Sequence, residues 1–276
     1  MKAFLHTIWI TGALAMAGCG TTYTVPTVST DVQSQANAMF AEERAKPLAN
    51  PASDRAAVSR FDRVVRRVKP VAIAFCETQV APGETCDLPI IIDKEMKVAN
   101  AYQTKNASGP FIAISVPLLK TVRNDDELAF VLGHEYAHHI AGHLRKGEQQ
   151  ALAGALVMGT ITAAAQAYAS SGNPYAYTGA NQQELDRNME LGATLGQRVY
   201  SQTYELESDV VATYIARSAG YDPVKGARFF AIPAEAKTTA GVLSVWGTHP
   251  PDETRLGTVI EADRAARQGI ALSKTQ

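Results

Sequence analysis

The spacing of apolar residues changes character several times along the chain. Residues 8–17 form an apolar stretch behind Lys2, and residues 20–30 are rich in Thr, Val, Pro and Ser. From residue 31 to 68 the pattern suits one or two helices. Pro47 and Pro51 break it, Ser53 or Asp54 is placed to cap the second, and Val58, Phe61, Val64 and Val65 mark the apolar side of that helix. Four short runs then read as strands, at 71–75, 88–92, 99–102 and 111–116, with a turn at 106–110. Pro117 opens a short helix. Asn124 or Asp125 opens a longer one, carrying Leu128, Val131 and Leu132 and running to about Leu144. Residues 151–169 are nearly all small or apolar and predict a packed helix or a helical hairpin arm. Residues 170–179 read as a loop. Helix resumes at Glu184, with breaks near Gly192 or Gly196, and stops at the Gly220–Pro223 segment. A further helix follows Pro223, a last one spans about 253–266, and the segment beyond Gly269 reads as a mobile tail. These elements predict an α+β fold, mostly helical, with a small mixed sheet of about four strands before the long helix.

Composition adds limits. The chain has 276 residues and a formal charge of -1, so no basic surface recommends nucleic acid as a partner. Residues 1–18 read as a signal peptide. Met16, Ala17 and Gly18 before Cys19 resemble a bacterial lipobox, which makes Cys19 the lipidation site and 19–30 a lipid-anchored tether. The next residue, Gly20, resembles the outer-membrane-directed class of lipoproteins. The expected location is therefore the periplasm, with a lipid anchor in the outer membrane. Cys76 and Cys86 are the other two cysteines, and in an oxidising compartment they form a disulfide across a short loop, expected between two strands. Residues 31–276 are read as one domain with a helical insertion at about 149–182.

The chemistry lies in His134-Glu135-Tyr136-Ala137-His138. Histidines four apart share one helix face and can bind one metal ion, and Glu135 beside them is the candidate general base. This is the arrangement of zinc hydrolases, in which the ion activates water for peptide cleavage. A third ligand is needed. The metzincin register beyond His138 holds Ala141 and Leu144, so that class is excluded. The acidic segment 205–209 is the candidate source. Glu205 is favoured as ligand with Asp209 accepting a histidine N–H, while Glu207 and Asp209 stay open as alternatives.

Three segments together, HEYAHHIAGH at 134–143, ELESD at 205–209 and THPPDETRL at 248–256, resemble one gluzincin family. It includes the CaaX prenyl endopeptidases, the HtpX-type membrane proteases and the LoiP- and BepA-type periplasmic relatives. The compact form with a lipobox is most similar to the LoiP-like lipoproteins. The resemblance covers about residues 71–266. It implies a zincin-like fold and one Zn2+ held by His134, His138 and Glu205, with Glu135 activating water. It also implies Asp209 as support for the ligands, Arg255 as anchor of the late loop, and His249 as a catalytic neighbour or a cap on the metal. His139 and His143 are not ligands in that pattern. Residues 111–115 match the edge strand that would hold a peptide substrate, and 100–102 a segment bordering the cleft. The implied function is a zinc endopeptidase of the bacterial envelope, acting on misfolded or membrane-associated polypeptides. The alternative is a latent or non-enzymatic assembly factor with His249 capping the zinc. Envelope assembly proteins are the further candidate partners.

Overall fold

The computed structural model describes residues 20–170, 179–232, 235, 243–250 and 252–275. The apolar leader and Cys19 lie outside the described residues, as does nearly all of the expected loop at 170–179. Helix α1 (Thr30–Ala45) is followed by α2 (Asp54–Gln79), whose N-terminal amide at Ala56 is capped by the Ser53 hydroxyl. The strand expected at 71–75 is the last third of α2. Phe61, Val64, Val68, Ala72 and Cys76 are all buried, so the helical period continues through Pro70. Pro70 is exposed, and its ring removes one amide hydrogen bond without ending the helix.

Strands β1 (Ile90–Asp93), β2 (Ala101–Asn106) and β3 (Gly109–Ser115) form a sheet of order β1-β3-β2. β1 is parallel to β3 and β2 antiparallel to it, so the sheet is mixed, with three strands among the described residues. β3 is therefore central. The edge strand beside the site is β2, which corrects the assignment of residues 111–115. Cys76 and Cys86 are disulfide-bonded, with Cα atoms 5.7 Å apart. The bond joins the end of a helix, not a strand, to the segment entering β1.

Helices α3 (Val116–Thr121) and α4 (Asp125–Ile140) follow. The Asn124 side chain accepts the Glu127 amide and starts α4. Its end comes four residues earlier than expected. Gly142 takes a left-handed φ of 68° and its amide bonds to the His139 carbonyl, so the chain turns and α5 (His143–Ser170) begins.

Helix α6 (Gly179–Ser218) is continuous through Gly192 and Gly196. α5 and α6 run antiparallel, as the pairs Gly159–Met189, Thr162–Asn188 and Gln150–Tyr204 show. This pairing supports the α6 backbone where two glycines weaken it by about 1 kcal/mol each. Leu152, Leu156, Val157 and Ile161 of α5 are exposed. Among the described residues no helix is long and apolar enough to cross a membrane.

The chain closes with α7 (Pro223–Ala227), a 3₁₀ turn at Arg228–Ala231, α8 (Val245–Thr248) and α9 (Glu253–Arg267). The core is built on α4, whose Leu128, Phe130 and Leu132 are fully buried together with Ile215 and Phe229.

The described segments nearest the two termini lie against each other. Tyr23 is fully buried and pairs with Lys274, and the amides of Thr24 and Thr275 bond to Ser273 and Thr22. Residues 22–24 are thus seated on the domain, and the segment beyond Gly269, expected to be mobile, is held by them. Extended segments need only backbone partners, which composition does not reveal.

Candidate active site

The site sits where α4 crosses α6. Gly133 lies directly against Ala212, and a Cβ there would come within 3.2 Å of the Ala212 carbonyl oxygen. A side chain at 133 would hold the helices apart, so glycine before the motif lets Glu205 reach the histidines. His134 and His138 face the same way, one turn apart, as their spacing predicted.

Their Nε2 atoms are 3.0 Å apart. Glu205 places Oε2 3.2 Å from His134 Nε2 and Oε1 3.4 Å from His138 Nε2. His249, from the loop after α8, places Nδ1 3.3 Å from His134 Nε2 and 2.9 Å from Glu205 Oε2. One donor atom from each of the four residues lies within 4.8 Å of the others. A tetrahedral ion with ligand bonds of about 2.0–2.1 Å keeps its donors about 3.3 Å apart. The donor set therefore fits a metal ion of that kind.

The electrostatics agree. Burial opposes a charge on His134, yet the Glu205 and Asp209 carboxylates carry its pKa up to about 9. Burial, together with the neighbouring imidazoles, pushes His138 well below its ordinary value, so it is a neutral donor. Burial would raise Glu205, but His249, Arg255 and His134 hold it well below the usual carboxylate range.

The supporting residues are in contact as well. Asp209 Oδ1 accepts from His134 Nδ1 at 2.9 Å, which leaves the His134 Nε2 lone pair facing the donor cluster. Arg255 clamps Asp209 through two bonds of 2.7 and 2.8 Å and lies 3.2 Å from Glu205. It also donates to the carbonyls of His249 and Pro250, so it anchors the loop that carries His249. Its guanidinium lies 4.2 Å from the centre of the Phe230 ring.

Glu135 is buried beside the cluster, 3.5 Å from His249 Nε2. Burial raises its pKa above 4.5 despite the nearby imidazoles of His249 and His134. A cavity of about 470 Å³ opens next to His138, lined by Gln103, Lys105 and Pro110 of the sheet and by His139 and Arg145.

Two histidines outside the donor set have other partners. His139 Nε2 bonds to the Thr85 carbonyl at 2.6 Å. His143 reaches His138 and Glu207, and Glu207 is fully buried but turned away from the donor cluster. The acidic cluster at 205–209 was legible in the sequence. The contacts of Glu207 were not, because they depend on the turn at Gly142 and on the seated N-terminal strand.

The model of peptidase family M48 matches residues 59–262 of the chain. No curated protein matches it.

Proposed function

The chain belongs to peptidase family M48, and from that premise we propose that it cleaves polypeptides internally with a single Zn2+ held by His134, His138 and Glu205. The observation that carries this reading is the buried His134–His138–Glu205 donor set with Glu135 alongside. Zinc bound there supplies a Lewis acid that polarises the scissile carbonyl and lowers the pKa of water. The protein does the rest. Asp209 and Arg255 hold His134 and Glu205 in place. Among the described residues no strand lies beyond β2, and an extended peptide added along that edge would lie beside α4. The Glu135 carboxylate accepts the proton of the attacking water and passes it to the leaving amine.

His249 supports a second reading. Its Nδ1 takes the fourth position of the donor set, the place a catalytic site keeps for water and substrate. The resting protein is then latent, and the loop after α8 must withdraw His249 before cleavage.

The LoiP-like envelope assignment is part of the same proposal: Cys19 lipidated, the 31–276 domain in the periplasm, and misfolded or membrane-associated polypeptides as substrates. The Cys76–Cys86 disulfide suits an oxidising compartment. Mass spectrometry of the mature N-terminus tests the anchor, and an unacylated Cys19 rejects it.

The mechanism is tested with Glu135→Gln. It should bind zinc like the parent and lose cleavage of an unfolded protein substrate by about 10²–10⁴-fold. Equal cleavage by the two proteins would refute the role given to Glu135.

A further inference from the structure

We propose that His143 and Glu207 are positioning residues that fix the tautomer and orientation of His138, and that the N-terminal strand completes the device by seating the Thr22 and Tyr23 amides on Glu207. This rests on the reading of His138 as a metal ligand.

The contacts form one line from the chain's N-terminal segment to the donor cluster. The amides of Thr22 and Tyr23 donate to Glu207 Oε1 at 2.5 and 2.7 Å. Glu207 Oε2 lies 2.8 Å from His143 Nε2. His143 Nδ1 lies 2.9 Å from His138 Nδ1. His138 Nε2 faces His134 Nε2 and Glu205.

The chemistry of each group orders the protons along that line. A histidine that offers a metal its Nε2 lone pair keeps its proton on Nδ1, so His138 donates from Nδ1 and His143 Nδ1 accepts. The Ser208 hydroxyl lies 3.3 Å from the same His143 nitrogen. His143 then carries its proton on Nε2 and donates it to Glu207 Oε2. His134 reaches the same state through Asp209. The two ligand histidines are thus set by two separate carboxylates, Asp209 directly and Glu207 through an imidazole.

Three features hold His143 in this role. Had α4 continued, residue 143 would lie about 140° around the helix from 138; the left-handed Gly142 brings it back. The Tyr204 ring stacks on His143 with centroids 4.3 Å apart. Lys146 ties the strand down, donating to the Gly20 carbonyl and the Thr22 hydroxyl. Glu207 is fully buried, and the described contacts offer its Oε1 no other donors than the two strand amides. Lifting the strand leaves half of a buried carboxylate unsatisfied.

The test uses the full chain and reads zinc affinity by competition with a chromophoric chelator, together with ¹⁵N spectra of the imidazoles in the zinc-loaded protein. In the parent, His143 should be protonated on Nε2 and His138 on Nδ1; a proton on His143 Nδ1 would overturn the proposal without any variant. Glu207→Gln introduces a donor toward His143, inverts both tautomers and should weaken zinc binding about 10–100-fold. Thr22→Pro removes one strand amide and should weaken it in the same direction; unchanged affinity there overturns the strand's share. His138→Ala separates the two readings. If it binds zinc as tightly as the parent, His138 is no ligand and the proposal falls with that reading. If it loses zinc while Glu207→Gln keeps parental affinity and tautomers, the positioning role alone is wrong.

Discussion

Replacing Arg255 with Met should unfold the metal-free protein far more easily while keeping the shape of the side chain's aliphatic part. Arg255 is buried and is the common cation for two buried carboxylates, Asp209 at 2.7 and 2.8 Å and Glu205 at 3.2 Å. Removing one partner of such a pair costs about 3–5 kcal/mol, because the remaining charge is left desolvated. Here two carboxylates lose the same partner, so the upper part of that range applies. The lost contact with the Phe230 ring adds about 1–2 kcal/mol at most and does not decide the outcome. At about 2–4 °C per kcal/mol, the melting temperature in chelator should fall by roughly 8–20 °C. Zinc held by Glu205 would offset that carboxylate, while Asp209 lies outside the donor set against His134 Nδ1, so saturating zinc should recover part of the loss and not all of it.

The pH dependence has a definite sign. Burial pushes the Asp209 carboxyl up, but Arg255 and His134 hold it below 3.8. A depressed carboxyl contributes stability that is present above its unfolded value and lost as pH falls through the folded one. The parent therefore loses this contribution in acid, and Arg255→Met has little of it to lose. The gap between the two proteins should be widest near neutral pH and close below about pH 4. Thermal or urea unfolding across that range measures it. A gap below about 1 kcal/mol at neutral pH in chelator would refute the account of the buried pair.

The remaining expectations concern the cap, the helix packing and the disulfide. His249→Ala opens the fourth position, so cleavage should rise about tenfold if capped molecules outnumber open ones ten to one, while zinc affinity falls; a drop in kcat would instead assign His249 to the reaction itself. Gly226→Ala drives a Cβ to 2.5 Å from the Asp126 carbonyl and 2.6 Å from Phe130 Cβ, so α7 must shift off α4, costing about 1–3 kcal/mol in urea unfolding; unchanged stability would mean the contact is slack. Cys76→Ser with Cys86→Ser should cost about 2–3 kcal/mol through loop entropy. It should leave zinc affinity as it is, since the bridge lies outside the donor set; a change in affinity would tie the loop to the site.

The sequence by itself determined the metal chemistry and much of the fold. Two histidines one turn apart with an adjacent glutamate are a local pattern, and a helix is the one regular structure that puts them on one face. The caps at Ser53 and Asn124, the turn at 106–110 and the helix after Pro117 are equally local, and each stands where its residues indicated. Helices and a small sheet follow from the same periodicities. Several decisions that depend on a distant neighbour failed, although the family pattern brought Glu205 and Asp209 to the histidines. Residues 71–75 look like a strand because a short apolar run has no period of its own, and only the core beneath α2 decides that they continue a helix. Which strand forms the edge depends on the order β1-β3-β2, and register along the chain carries no trace of it. The end segments at 22–24 and 273–275 are held by backbone hydrogen bonds, to which side-chain composition is blind. Glu207 shows the same limit at the site. Its identity as a buried acid was visible beside Glu205, but its partners come from residues 22, 23 and 143, brought together by a glycine turn and a seated strand. Short-range sterics write the elements into the sequence; the sharing of buried charges and amides between remote segments is settled when those elements pack.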